Sequence, residues 1–103
     1  MLDKIHIYGL PIGVYMKGLS QSWIQNCFFD DLTTGIKLEV GTWGTGVYGS
    51  TISNNYFNKS TTGIDVVSVG SKALITSNYF DDTTTPLTGE LALVEEYGNY
   101  GIT

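Results

Sequence analysis

Residues 52–66 read ISNNYFNKSTTGIDV, and the same pattern occurs twice more in the chain. Residues 24–38 read IQNCFFDDLTTGIKL and residues 75–87 read ITSNYFDDTTTPL, so the three segments align without internal gaps. A fourth, partial match is IGVYM at residues 12–16, which aligns with TGIKL at residues 34–38. Repeats with a period between about 20 and 50 residues are typical of solenoids.

The composition of the repeat favours strands over helices. It is rich in β-branched and aromatic residues and is interrupted by Gly and Asn at short intervals. Ile36 and Leu38 flank Lys37, an alternation that indicates a strand with one buried face. We therefore predict an all-β fold, a right-handed parallel β-helix of about four coils that forms a segment of a longer β-helix. Residues 1–88 are expected to form these coils, and residues 89–103 a last coil or the start of a C-terminal module.

Stacking of such coils places equivalent residues over one another at about 4.8 Å. The alignment then predicts columns of like residues, with an asparagine ladder in a tight turn where Asn tolerates the left-handed backbone. The predicted interior columns are Ile24/Ile52/Ile75 and Phe29/Phe57/Phe80 with Phe28/Tyr56/Tyr79 beside them, and the predicted ladder is Cys27/Asn55/Asn78.

Charge and composition exclude several classes of protein. The net charge is −5, with five lysines and no arginine, which argues against binding to nucleic acid or to an anionic membrane surface. A single cysteine, Cys27, excludes an internal disulfide, and a single histidine, His6, excludes a multi-histidine metal site. No apolar run is long enough for a membrane span, and the N-terminus has no signal-peptide pattern. We expect no metal and no cofactor.

The motif I-x-x-N-x-F, followed by a turn and G-I-x-V, resembles the coils of the pectin-lyase-like superfamily. It stands here at residues 52–57 and 63–66, and the resemblance covers roughly residues 5–88. The superfamily includes phage tailspike depolymerases, pectate lyases, polygalacturonases and non-catalytic stalks. The resemblance implies a polysaccharide partner, such as a bacterial surface glycan, a homotrimer, and a place outside the cell or on a virion tail.

Three functions follow from this resemblance. The favoured one is a structural and carbohydrate-binding segment of a tailspike-like protein. The second is a catalytic segment of a polysaccharide depolymerase, as a glycoside hydrolase rather than a lyase. The third is a non-viral β-helix adhesin or stalk. The parent protein is thus a candidate enzyme, whereas this segment alone is expected to be inactive.

Two groups of residues are candidates for a site. Asp30, Asp81 and Asp82 are the catalytic candidates, because two coils separate Asp30 from Asp81 by about 9.6 Å, close to the spacing of an inverting glycosidase. We expect these aspartates to lie in a tight turn, where Asp is common for local hydrogen-bonding reasons. A glycine-rich insertion carries Trp43 and Tyr48, the candidates for carbohydrate binding, because an exposed ring offers an apolar face to a sugar.

Overall fold

A computed structural model describes residues 1–18, 22–39, 50–67, 73–92 and 94–101. These residues form thirteen strands and no helix that could span a membrane. In chain order the strands are β1 (Leu2–Asp3), β2 (His6–Tyr8), β3 (Ile12–Lys17), β4 (Trp23–Gln25), β5 (Phe28–Asp30), β6 (Thr34–Glu39), β7 (Ser50–Ser53), β8 (Tyr56–Asn58), β9 (Thr62–Val66), β10 (Ala73–Thr76), β11 (Tyr79–Asp81), β12 (Thr85–Gly89) and β13 (Val94–Tyr97).

Every strand pairs in parallel with the strand that lies three places along the chain. The pairing gives three sheets, β1-β4-β7-β10-β13, β2-β5-β8-β11 and β3-β6-β9-β12. Each set of three consecutive strands is therefore one coil, and β13 adds a fifth strand to the first sheet. The predicted all-β, parallel β-helix of about four coils is confirmed.

The turns between strands are set by residues with a left-handed backbone. Between the first and second sheets these are Lys4, Asn26, Asn54 and Ser77, with φ of 58°, 56°, 56° and 59°. Asn accepts this conformation more readily than most other residues. The ladder residues Cys27, Asn55 and Asn78 follow them directly, so the left-handed position is one residue earlier than predicted. The ladder itself does not use the tolerance of Asn for positive φ; it uses the Asn side chain.

The predicted interior columns lie inside the coils. Ile24 pairs with Ile52 and Ile52 with Ile75, and each is at most 2 % exposed. Phe29 and Phe57 stack with ring centroids 4.8 Å apart, and Phe57 and Phe80 at 4.7 Å. In-register pairing thus gives the buried Ile52 and Phe57 a neighbour of the same kind on each adjacent coil.

Glycines of the third sheet make room for the phenylalanine column. A Cβ on Gly35 would lie 2.7 Å from the carbonyl oxygen of Gly63 and 2.7 Å from Cε1 of Phe57. A Cβ on Gly63 would lie 2.5 Å from Cε1 of Phe80. These distances are too short for carbon contacts, so a side chain here would force the ring out of its column. The Gly of the G-I-x-V motif is therefore required by packing.

An asparagine ladder joins consecutive coils, as predicted. Asn55 is 2 % exposed, and its Nδ2 donates to the carbonyl oxygen of Ile24 and to Oδ1 of Asn78, both at 3.0 Å. Its Oδ1 accepts a hydrogen bond of 2.9 Å from the backbone N–H of Cys27. Asn78 repeats the pattern one coil further on, toward Asn99 and Ile52. Buried backbone groups at the turn are satisfied in this way, which a buried turn requires.

Replacing an interior isoleucine with a charge tests the column directly. We expect Ile52→Asp to lower the free energy of unfolding by about 4 kcal/mol or more, because it buries an unpaired carboxylate between two apolar neighbours. Thr51→Asp is the matched control, since Thr51 precedes Ile52 on β7 and is only half-buried. Urea unfolding followed by circular dichroism measures both. An equal decrease in the free energy of unfolding for the two variants would contradict the assignment of Ile52 to the interior.

Candidate functional site

A column of aromatic side chains runs along the outer face of the second sheet. His6, Phe28, Tyr56, Tyr79 and Tyr100 follow one another on successive coils, and we call them the aromatic column. His6 meets the Phe28 ring edge-on at 4.7 Å between centroids. The other rings lie nearly parallel, at 5.1, 5.1 and 5.7 Å. The spacing follows from the distance between coils, so the rings are stacked by the fold itself.

A second outer column lies two residues along the same strands. It consists of Tyr8, Asp30, Asn58 and Asp81, which pair in register, and we call it the polar column. Asn58 Nδ2 donates a hydrogen bond of 3.1 Å to Asp30 Oδ1. Together the two columns form an outer strip in which ring edges lie beside hydrogen-bonding oxygens and amides.

One hydrogen bond joins the two columns. The phenol of Tyr56 donates to Asp81 Oδ2 at 2.7 Å. This bond raises the pKa of Tyr56 from 10.0 to about 12, with smaller contributions in the same direction from desolvation and from the charges of Asp81 and Tyr79. A negative phenolate beside a carboxylate is unfavourable, and the lost donor adds to the cost.

The catalytic candidates are only partly brought together. Asp30 and Asp81 lie in the polar column, on coils that are separated by the coil of Asn58. They are the last residues of β5 and β11, so the expectation that they lie in a turn was wrong for both. Asp82 does lie in the turn, exposed and with φ of 47°. The turn begins one residue later than expected because Asp30 and Asp81 both pair with Asn58 as parts of strands, which keeps their backbone extended.

The carboxylates of the polar column already have partners. Asp30 accepts from Asn58, and Asp81, which is exposed, accepts from Tyr56. A general acid at neutral pH needs an apolar surrounding that raises its pKa. A cavity of about 160 Å³ lies elsewhere, at the N-terminal end of the solenoid, where Leu2, Val14 and Trp23 contribute to its lining. Catalysis by Asp30, Asp81 and Asp82 stays a prediction.

The predicted carbohydrate-binding pair, Trp43 and Tyr48, lies outside the residues that the structure describes. Their role stays a prediction. The aromatic column was present in the alignment as Phe28, Tyr56 and Tyr79, but no function was assigned to it. The alternation along β5 that places Phe29 inside also places Phe28 and Asp30 outside. This alternation could have identified the outer strip from the sequence.

Donors for a transition metal are sparse and dispersed. The described residues contain no group of three or more His, Cys, Asp or Glu side chains that could hold a metal ion. His6 is exposed on the aromatic column, whereas Cys27 is buried and its Sγ donates to the carbonyl oxygen of Gln25 at 3.3 Å. Met1 and Met16 line the cavity at the N-terminal end.

Comparison with known protein families gives a match over most of the chain. The model of a family described as periplasmic copper-binding protein (NosD) matches residues 6–88, which is most of the chain. This family has a right-handed β-helix of the pectin-lyase-like kind. No curated protein and no solved structure matches the chain. The donor set described above does not fit a copper site within the described residues.

The hydrogen bond between the two columns can be measured by titration. Because the pKa of Tyr56 is raised on folding, the stabilisation from this bond is complete below about pH 10 and is lost as the pH rises through about 12. We expect Asp81→Asn to move one tyrosine pKa back toward 10.0 in an ultraviolet titration of the phenolate band. Asp82→Asn, which removes the adjacent carboxylate in the turn, should leave the titration unchanged. Identical curves for the two variants would rule out the bond.

Proposed function

The chain belongs to the NosD family, and from that premise we propose that it is a structural β-helix segment of an extracytoplasmic protein whose outer strip binds polysaccharide. The observation that carries the proposal is the outer strip, with four stacked aromatic rings and an edge-on imidazole beside a column of polar side chains. The periplasmic location of the family supports the extracytoplasmic part.

The chemistry of the outer strip suits a sugar. Sugar rings combine apolar C–H faces with hydroxyl groups, so they bind where an apolar surface and hydrogen-bonding groups lie side by side. The aromatic column supplies the first, because Tyr79 and Tyr100 are 45 % and 71 % exposed. Asp30, Asn58 and Asp81 supply the second, since carboxylate and amide oxygens accept hydrogen bonds from hydroxyls.

The repetition of the strip suits an extended chain rather than a single sugar. Equivalent groups recur on each coil at a spacing of about 4.8 Å. A polysaccharide lying along the solenoid axis would meet a ring edge and a polar group at each coil. Each contact is weak, and several in a row raise the affinity together. The carboxylates of the polar column favour neutral glycans over polyuronates, because like charges repel.

Copper has no place in this proposal. The family description names copper, but the described residues contain no group of three or more His, Cys, Asp or Glu side chains that could hold the ion. A tailspike-like parent on a virion, and a homotrimer, stay predictions from the sequence. Sedimentation of the chain at micromolar concentration tests the homotrimer.

We expect the chain to bind a neutral polysaccharide weakly through the outer strip. Tyr79→Ala removes an exposed ring from the middle of the aromatic column and should weaken binding about three- to tenfold, the value of one aromatic contact. Tyr15→Ala is the matched control, because Tyr15 is 46 % exposed but lies on β3, in the third sheet. Affinity electrophoresis in gels with a neutral glucan, a mannan or a polyuronate measures the effect.

The outcome separates this proposal from its rivals. Equal retardation of wild type, Tyr79→Ala and Tyr15→Ala would contradict the outer strip as a binding surface. Loss of binding in Trp43→Ala alone would assign it to the glycine-rich insertion instead. Release of reducing ends that disappears in Asp30→Asn and Asp81→Asn, with the fold intact, would replace the binding role with a depolymerase. Absence of any glycan binding would favour a stalk.

A further inference from the structure

Opposite charges pair across the coils of the third sheet. Lys17 pairs in register with Glu39, and Lys37 pairs in register with Asp65. The Nζ atom of Lys37 also lies 5.1 Å from the centroid of the Tyr15 ring. In both pairs a cation on one coil stands opposite an anion on the next, so these charges on the outer face of the third sheet balance one another.

The polar column on the second sheet is built differently. Asp30 and Asp81 both pair in register with Asn58, which lies on the coil between them. The side chains that hold the two carboxylates are neutral. Asn58 Nδ2 donates to Asp30 Oδ1 at 3.1 Å, and the phenol of Tyr56 donates to the other carboxylate at 2.7 Å. The column thus presents negative charges on alternate coils, with an uncharged residue between them.

The turn beside the polar column does not neutralise these charges. Lys59 follows Asn58 in this turn, with φ of 57°. Asp31 and Asp82 occupy the equivalent positions on the two adjacent coils, with φ of 57° and 47°. All three turn residues are exposed. One lysine therefore lies between two aspartates, and the turn adds negative charge to that of the outer strip.

Both carboxylates are held in place and can still accept hydrogen bonds from a ligand. Each bond within the strip uses one oxygen, and an ionised carboxylate accepts at both of its oxygens. Asp81 is exposed and Asp30 is half-buried, so a ligand on the outer face can reach them. A hydrogen bond from a charged donor to a carboxylate is roughly twice as strong as one between neutral groups. An ammonium group therefore gains more at these positions than a hydroxyl group does.

We propose that the outer strip prefers a glycan with free amino groups, such as an extended β-1,4-linked glucosamine polymer. This inference rests on the proposed function, because it takes the outer strip as the glycan-binding surface, with one sugar at each coil. An extended β-1,4-linked chain turns over at each sugar, so the amino groups of alternate sugars lie on the same side. Asp30 and Asp81 likewise lie on alternate coils. The aromatic column then contacts the apolar parts of the sugars.

Isothermal titration calorimetry with two hexasaccharides of the same backbone tests the proposal. Hexaglucosamine carries charged amines in mildly acidic buffer, whereas hexa-N-acetylglucosamine has neutral amides at the same positions. Two exposed pairs of opposite charge should make hexaglucosamine bind about three- to tenfold more tightly. Added salt should reduce this preference in the wild-type chain, because screening weakens exposed charge pairs.

Two double variants with the same change of net charge locate the effect. Asp30→Asn combined with Asp81→Asn removes both charges of the polar column and should abolish the preference for hexaglucosamine. Glu39→Gln combined with Asp65→Asn is the matched control, because it removes two negative charges from the third sheet. The control should keep the preference. Circular dichroism checks that both variants fold.

The outcomes separate this inference from the proposed function. Equal affinity of the wild-type chain for the two hexasaccharides would overturn the inference and leave the outer strip as a binding surface for neutral glycans. Binding of neither would overturn both. Equal loss of the preference in the two double variants would assign it to net charge and overturn the inference. So would a lysine hexapeptide that binds as tightly as hexaglucosamine, because it carries the charges without the sugar rings.

Discussion

The buried amide ladder is the interaction on which the other features of this molecule depend. Each asparagine side chain joins its own coil to the coils on both sides, as Asn55 does toward Cys27, Ile24 and Asn78. The amide has one acceptor oxygen and two N–H donors, so it can satisfy backbone groups at a buried corner that strands alone leave unpaired. Because these bonds form only when the coils are in register, the ladder fixes the register of all three sheets.

Register then determines what lies inside and outside. A shift of one residue would reverse every side chain of a strand, so the register that pairs Asn55 with Asn78 also pairs Phe57 with Phe80 and Tyr56 with Tyr79. The interior phenylalanines and the outer aromatic column are consequences of the same pairing. The candidate binding strip and the packed interior both arise from one repeated geometry, used with different side chains.

The repeat predicted the fold because alternation and stacking leave few alternatives: a segment with isoleucine at the positions of Ile24, Ile52 and Ile75 needs those positions buried. The exact position of each turn could not be predicted from the repeat, because it depends on the backbone conformation of single residues. The left-handed residue was Asn54 rather than Asn55, and Asp30 and Asp81 ended strands rather than starting turns. Asn99 was not singled out, because its coil departs from the repeat. The candidate site was harder to predict than the fold. Residues such as Phe28, Tyr56 and Tyr79 recur in the repeat in the same way as residues that recur for packing, so the alignment does not distinguish the two roles. Trp43 and Tyr48 lie in a segment that has no equivalent in the other repeats.

The most direct test of the ladder is a comparison of two asparagines in unfolding experiments. Asn78→Ala removes the partner of the Asn55 backbone N–H, of its Nδ2 and of the Ile52 carbonyl oxygen. Buried groups left unsatisfied cost about 1–3 kcal/mol each, so we expect a loss of about 3 kcal/mol or more. Asn58→Ala, on the outer face with one bond to Asp30, should cost less than about 1 kcal/mol. Similar small losses in both variants, measured by urea unfolding, would contradict the claim that the buried ladder holds the coils together.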